Sequence, residues 1–159
     1  MTHLSQKALE QINHWLTKYP EKQRQSAVMA ALTIVQTENQ GFLTTPLMDA
    51  VAHYLGMPKI AVYEVATFYS MYNLKPVGRH KIDVCTNISC MLRGCDNIVQ
   101  HLEQKLGITL GETTPDGRFT LKGVECLAAC GGAPALQIGH HYHENLTTES
   151  IDTILEGLE

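Results

Sequence analysis

Along residues 5–72, apolar side chains recur every three or four positions, the spacing of one buried face on an α-helix. Over residues 5–19, Leu9, Ile12, Trp15 and Leu16 share a face, and Pro20 stands where such a helix must already have ended. A second helix is predicted over residues 21–39, with Ala27, Ala30, Ala31, Ile34 and Val35 along one side and Gly41 as its C-terminal stop. Thr45 as N-cap and Pro46 as the first helical residue open a third helix, which runs through Leu55 and closes at Gly56. Pro58 opens a fourth through Tyr72, carrying Ile60, Val62, Val65, Phe68, Tyr69 and Tyr72, before the loop at residues 73–78. Helical spacing assigns most of Tyr63, Phe68, Tyr69, Met71 and Tyr72 to the core.

At Arg79 the pattern changes. Residues 80–85 are rich in strand formers, and residues 90–107 return to helical spacing with Leu92, Ile98, Val99, Leu102 and Leu106. A turn over 113–117 leads into a strand over 119–126, followed by strands over 135–138 and 142–145 joined by a hairpin turn at Gly139. Thr147 or Thr148 caps a last helix over 149–158. This order predicts an α/β protein: an N-terminal helical bundle over residues 1–76, then over residues 77–159 a thioredoxin-like layer of helices on a small mixed sheet.

The 159 residues are 44% hydrophobic and 18% charged, enough apolar material for one or two packed units and no case for disorder. The net charge of −4, without a run of like charges, speaks against a nucleic-acid partner. The most apolar stretch, residues 26–35, is polar-interrupted and well short of the roughly 20 residues of a membrane span. Residues 1–10 lack the basic start and long apolar segment of a secretory signal, and they are not Arg-rich as a transit peptide is, so a bacterial cytoplasmic setting is expected. In that reducing setting the five cysteines point to metal or catalysis rather than disulfides.

Cys85, Cys90, Cys95, Cys126 and Cys130 fall into two groups. Cys85 ends one predicted strand and Cys90 starts the next helix; Cys126 ends another strand, and Cys130 precedes Gly131 and Gly132. Each pair thus brackets a loop that can aim two sulfurs at one metal, and the glycines let backbone N–H groups approach them closely. Cys95 lies five residues beyond Cys90, about 140° around the same predicted helix, which leaves it out of the ligand set as a buried or half-buried thiol, with a spare or alternative ligand as the other reading. Spacing alone leaves several chemistries open for the other four. Buried thiols, a four-cysteine zinc site and a redox dithiol compete with iron and sulfur, although zinc knuckles favour shorter C-x2-C gaps and no C-x-x-C is present. His140, His141 and His143 form an H-H-x-H tract at the predicted hairpin tip, with His141 and His143 on one face, a place for adventitious metal binding at most. Glu64 and Glu125 have no visible nucleophile or second carboxylate as a partner.

VCTNISCMLRGC at residues 84–95 and VECLAACGGAP at residues 124–134 closely resemble the thioredoxin-like [2Fe–2S] subunit of respiratory complex I, NADH:quinone oxidoreductase. PKIAVYEVATFYSMYNLKPVGRH at 58–80 and LGITLGETTPDGRFTL at 106–121 look like the same family, so the resemblance spans nearly the whole chain. Its most specific part is C-x4-C-x35-C-x3-C, which carries the family's ligands onto Cys85, Cys90, Cys126 and Cys130 and leaves Cys95 out. The resemblance implies a helical bundle followed by a thioredoxin-like [2Fe–2S] ferredoxin domain holding one cluster. It also implies a subunit without a complete active site of its own, in an oxidoreductase whose NADH and FMN sit on a partner subunit. The setting it implies is the peripheral arm of a complex on the cytoplasmic face of the bacterial inner membrane, with no membrane insertion by this chain. The chain has no G-x-G-x-x-G after a predicted strand and no P-loop, so hydride chemistry falls to that partner. The equivalent subunit of an NAD-dependent formate dehydrogenase or an NAD-reducing hydrogenase is the alternative within redox chemistry. A zinc-stabilised binding module is the alternative outside it.

Overall fold

Ser5 turns the incoming chain into a helix: its Oγ accepts the Ala8 N–H at 2.9 Å, and α1 then runs Gln6–Leu16. The computed structural model describes residues 4–158, which cluster into two compact units divided between Pro76 and Val77.

The first unit is helical. After α1 come α2 (Val28–Glu38), α3 (Thr45–Leu55) and α4 (Lys59–Phe68), closed around Ile12, Ala31, Leu32, Val35, Val51, Leu55 and Val62. The single helix expected over 21–39 is instead 3-10 turns over Glu21–Ala27 followed by α2, with Gln23 off helical geometry. The polar run before Ala27 offers no apolar position to bury, so nothing holds it in line with the helix that follows. The buried stripe is rotated as a result: Val28 and Leu32 are core, whereas Ala30 and Ile34 are half-buried. On α1, Ala8 and Ile12 are core, while Trp15 is exposed beneath the Lys18 ammonium, 3.6 Å from its ring centroid. The cap of α3 is Thr44, whose Oγ1 accepts the Leu47 N–H at 3.4 Å, one residue earlier than expected; Gly56 closes the helix in the left-handed region at φ 69°.

The fourth helix stops at Phe68, where Tyr69 turns extended, rather than at Tyr72. That early stop overturns the core assignment of its aromatic run. Tyr72 is buried and donates to the Met29 carbonyl at 2.9 Å, and Tyr63 is half-buried against Asp49. Phe68 is 80% exposed, however, and Tyr69, Met71 and Ile60 are exposed with it.

The second unit is a four-stranded sheet, β1 (His80–Cys85), β2 (Phe119–Val124), β3 (Leu136–Ile138) and β4 (His141–His143), in the order β2-β1-β3-β4. β1 pairs parallel with β2 from His80↔Phe119 to Cys85↔Val124; β3 runs antiparallel to β1, and β4 antiparallel to β3. Ile82, Val84, Leu121, Leu136 and Ile138 pack with Ile98 and Leu102 of α6 (Cys95–Leu106) and Ile151 and Leu155 of α7 (Thr148–Glu156). Thr147 caps α7 in a reciprocal box with Ser150. This is the expected thioredoxin-like α/β arrangement, with corrections at element ends. β2 stops at Val124, so Cys126 lies beyond its strand; β4 begins at His141, which places His141 and His143 in the edge strand and only His140 in the hairpin turn.

The expected helix over 90–107 is two helices. Asn87 caps α5 (Ile88–Leu92), and α6 starts afresh at Cys95. Gly94 separates them at φ 90°, a left-handed conformation that side-chain-bearing residues rarely adopt.

Candidate metal centre

The cysteine groups meet because of how the sheet is wired. β1 and β2 are parallel, so their C-terminal ends lie side by side, and β3, being antiparallel to β1, starts at that same edge. The connection from β2 to β3 must therefore cross the end of β1, a span of about two strand spacings or roughly 10 Å. Cys126 and Cys130 ride on that crossing segment, and Cys85 is the last residue of the strand beneath it. Cys85 is held on both sides. Its N–H donates to the Ala135 carbonyl at 3.1 Å, and the next N–H, of Thr86, donates to Val124 at 3.0 Å.

Around the sulfurs the backbone presents donors. Amide N–H groups of Asn87, from the first cysteine loop, and Leu127, from the second, donate to Cys85 Sγ; the Ala135 N–H serves Cys90, and the Ala128 N–H reaches Cys126 Sγ at 3.3 Å. Ala128 sits at φ 57°, left-handed for a residue with a Cβ, which carries a strain of order 1 kcal/mol. The Cys130–Gly132 turn follows and leads through a cis Ala133–Pro134 bond toward β3.

These surroundings separate the thiols electrostatically. Burial pushes the Cys85 thiol up, but the hydrogen bonds from Asn87, the Cys90 thiol and Leu127 together outweigh it and hold Cys85 below the ordinary thiol value. Burial pushes Cys90 up, and its hydrogen bond to Cys85 adds to the shift. Cys95 is pushed up to about 11 by burial and then by the neighbouring Asp96 carboxylate. Cys126 and Cys130 are exposed.

Cys85, Cys90 and Cys95 form one buried cluster with Ala133, packed by Leu127. The geometric reason for setting Cys95 aside therefore fails: the break at Gly94 puts it on a different helix from Cys90 and turns it back toward the same pocket. What distinguishes Cys95 is its environment. It is 1% exposed, and its sulfur lies 3.8 Å from the Asp96 carboxylate rather than under a backbone amide. Among the described residues, no three His, Cys, Asp or Glu side chains gather as around a single ion. His143, in β4, is held below the usual histidine range by burial and then by His141.

Two thiol-bearing loops converging over one strand end, with N–H donors aimed at the sulfurs, define a site for an anionic group such as a metal–thiolate cluster. The donor set fits iron and sulfide, since a [2Fe–2S] cluster asks for two thiolates per iron and accepts N–H hydrogen bonds at sulfur. The family model of thioredoxin-like [2Fe–2S] ferredoxins matches residues 12–159, and the chain belongs to that family. It is 48% identical over 147 residues to an E-type subunit of the NADH-quinone oxidoreductase of Rhizobium meliloti, covering 92% of this chain and 86% of that one. The E-type NADH-quinone oxidoreductase subunit of Rickettsia conorii is 46% identical over 91% of this chain and 86% of its own length. The mitochondrial NADH dehydrogenase [ubiquinone] flavoprotein 2 of Dictyostelium discoideum is 41% identical over 98% of this chain and 63% of its own. Among solved structures, an NAD+-reducing [NiFe]-hydrogenase superposes with a TM-score of 0.71 at 22% identity over 88% of this chain; the likeness, to about a quarter (24%) of the hydrogenase chain, is one of fold.

Sequence reasoning missed the amide donors of Asn87, Leu127, Ala128 and Ala135. A glycine inside a helical pattern, Gly94, was the available sign that the first loop breaks there. Nothing in the residue types announced which amides would face sulfur.

Proposed function

We propose that this chain is the [2Fe–2S] subunit of an NADH:quinone oxidoreductase, carrying one electron at a time and exchanging it with the FMN of a partner subunit that oxidises NADH. The ligands are Cys85, Cys90, Cys126 and Cys130. The observation that supports the ligand set is the strand order, which requires residues 125–135 to pass from β2 to β3 at the edge of the sheet where β1 ends at Cys85. The near half-identity to NADH-quinone oxidoreductase subunits over most of their length supports the assembly. No described helix is long and apolar enough to cross a membrane, in keeping with a peripheral place on the cytoplasmic side of the inner membrane.

When bound, such a cluster supplies reversible one-electron chemistry without proton transfer. This chain's residues do the rest. The thiol of Cys85, already lowered by the amides of Asn87 and Leu127, is prepared to bind as thiolate. Leu127 and Ala133 pack the buried side of the site and keep water from it. Cys126 and Cys130 reach the surface, which opens the site to a partner on that side.

The test is anaerobic purification with iron, sulfide and zinc analysis and EPR of the dithionite-reduced chain, on wild type and on Cys85→Ala, Cys90→Ala, Cys95→Ala, Cys126→Ala and Cys130→Ala. About two irons and two sulfides per chain are expected, with a reduced-state signal lost in every variant except Cys95→Ala. Zinc without sulfide would overturn the function, and a cluster that needs Cys95 would overturn the ligand set.

A further inference from the structure

Arg93 occupies the break between α5 and α6, three residues after Cys90 and two before Cys95. Its N–H donates to the Cys90 carbonyl at 3.1 Å, and the Gly94 N–H donates to Met91 at 3.0 Å, so the chain makes a tight turn here instead of continuing as helix. From that turn the side chain reaches across to the other cysteine loop: Arg93 Nε donates to the Ala133 carbonyl at 3.3 Å. Ala133 follows directly on the Cys130–Gly132 turn and belongs to the same buried cluster as Cys85 and Cys90. It is a side-chain link between a segment adjoining the first cysteine pair and one adjoining the second.

We propose that Arg93 is a positioning residue for the metal centre, clamping the two cysteine loops at the separation a dinuclear cluster requires. This deepens the cluster reading above and rests on it. The crossing segment needs such a restraint. It carries a left-handed Ala128, its two cysteines are exposed, and on its far side it is tied by the Asn145 N–H, which donates to the Gly132 carbonyl at 2.6 Å. Arg93 supplies the tie on the side facing α5. A guanidinium suits the task because its planar, permanently charged donor keeps direction toward a carbonyl, whereas an ammonium on a flexible stem reaches the same oxygen with less constraint. Gly94 makes the reach available: a side chain there would strain the left-handed turn that aims Arg93.

The experiment compares wild type, Arg93→Ala, Arg93→Gln and Arg93→Lys as anaerobically loaded full chains. It follows loss of visible absorbance under excess iron chelator and the EPR line shape of the reduced form. Arg24→Ala is the control, since Arg24 Nη2 makes the same kind of bond to the Tyr54 carbonyl at 3.0 Å in the helical unit. For one charge-assisted, partly exposed hydrogen bond, iron loss is expected to be about three- to tenfold faster in Arg93→Ala and Arg93→Gln. Arg93→Lys should recover part of that rate, and Arg24→Ala should match wild type. An altered EPR line shape in the Ala and Gln variants, at unchanged far-UV circular dichroism, supports repositioned loops rather than general loosening. Should Arg93→Ala fail to fold, Arg93→Gln and Arg93→Lys decide. Equal loss rates in fully loaded variants, or a lysine variant no better than glutamine, overturn the role of Arg93 alone; a wild-type chain without iron and sulfide overturns the cluster reading itself.

Discussion

Replacing Gly132 by alanine tests how tightly the crossing segment is seated. Gly132 has no left-handed φ, so the backbone tolerates a side chain there; the obstacle is space. A Cβ on Gly132 would lie 2.6 Å from Cβ and Cδ of Glu144, against roughly 3.5–4.0 Å for relaxed carbon contacts. The Glu144 carboxylate can swing away, but its Cβ is fixed to the backbone, which the Asn145-to-Gly132 hydrogen bond holds close. Overpacking of this kind costs about 1–3 kcal/mol, and the reduced freedom of the unfolded chain returns about 0.4–1 kcal/mol, leaving Gly132→Ala destabilised by about 1–2 kcal/mol. With a urea slope of about 2 kcal/mol per molar, the unfolding midpoint of the cluster-loaded chain falls by roughly 0.5–1 M. The assay is anaerobic urea unfolding followed by far-UV circular dichroism, on Gly132→Ala, Glu144→Gly and the double variant. Glu144→Gly removes the Cβ that the added methyl group would meet, so the double variant should recover about 1 kcal/mol relative to the sum of the singles. An unchanged midpoint in Gly132→Ala, or strict additivity in the double variant, would show that the segment gives way and that the steric reasoning is wrong.

Cys95, with its thiol pushed up to about 11, has a thiolate fraction of about one in a thousand at pH 8, so iodoacetamide on the folded metal-free chain should label Cys126 and Cys130 first and leave Cys95 to last by mass spectrometry. Early labelling of Cys95 would contradict its burial. Asp49 accepts hydrogen bonds from Lys59 at 2.6 Å and from Tyr63, and the Lys59 bond, with Tyr63 second, holds its carboxyl below the ordinary 3.8. A lowered carboxyl contributes stability that is complete above about pH 4 and lost as pH falls through the lowered value, so the midpoint gap between wild type and Asp49→Asn should hold from about pH 6 down to about pH 4 and shrink below that; a gap that stays constant in acid would count against the link between α3 and α4. Ile82, fully buried at the centre of the sheet, should cost about 2–5 kcal/mol as Ile82→Ala. Phe68→Ser, at an exposed position, should stay within about 0.5 kcal/mol of wild type, and a large loss there would mean that Phe68 is covered after all.

Much of the fold was legible because periodicity and punctuation agreed. Ile82, Val84, Leu121, Leu136 and Ile138 all face the helices as strand alternation requires, and Gly56 and Thr147 end and start their helices as residue chemistry dictates. The errors cluster where a local pattern ran past its physical support. The polar run before Ala27 could not sustain a straight helix, and the aromatics after Val65 continued a helical rhythm that the backbone abandoned at Tyr69. Of the candidate site, the two compact cysteine loops could be read from spacing. Their convergence could not, because it depends on β3 pairing with β1 rather than with β2, a long-range choice no single segment encodes.

That strand order also divides the second unit into an edge where length matters and one where it does not. Deleting one residue from β1 would slip its register and send Cys85 to the opposite face of the sheet, beyond the reach of the segment above. The turn at residues 113–117, which feeds the other end of β2, lies away from the thiols and closes on its own hydrogen bond from Gly117 to Thr114 at 2.8 Å. Extra residues beside the exposed Pro115 would disturb the turn's own hydrogen bonds, which include Arg79 N–H to the Gly117 carbonyl at 3.1 Å, but would leave the cysteine loops alone, and the added loop entropy grows slowly with length. A tag, a probe or an insertion acquired by a descendant of this chain would be accommodated at that turn, while the cysteine edge would keep its length.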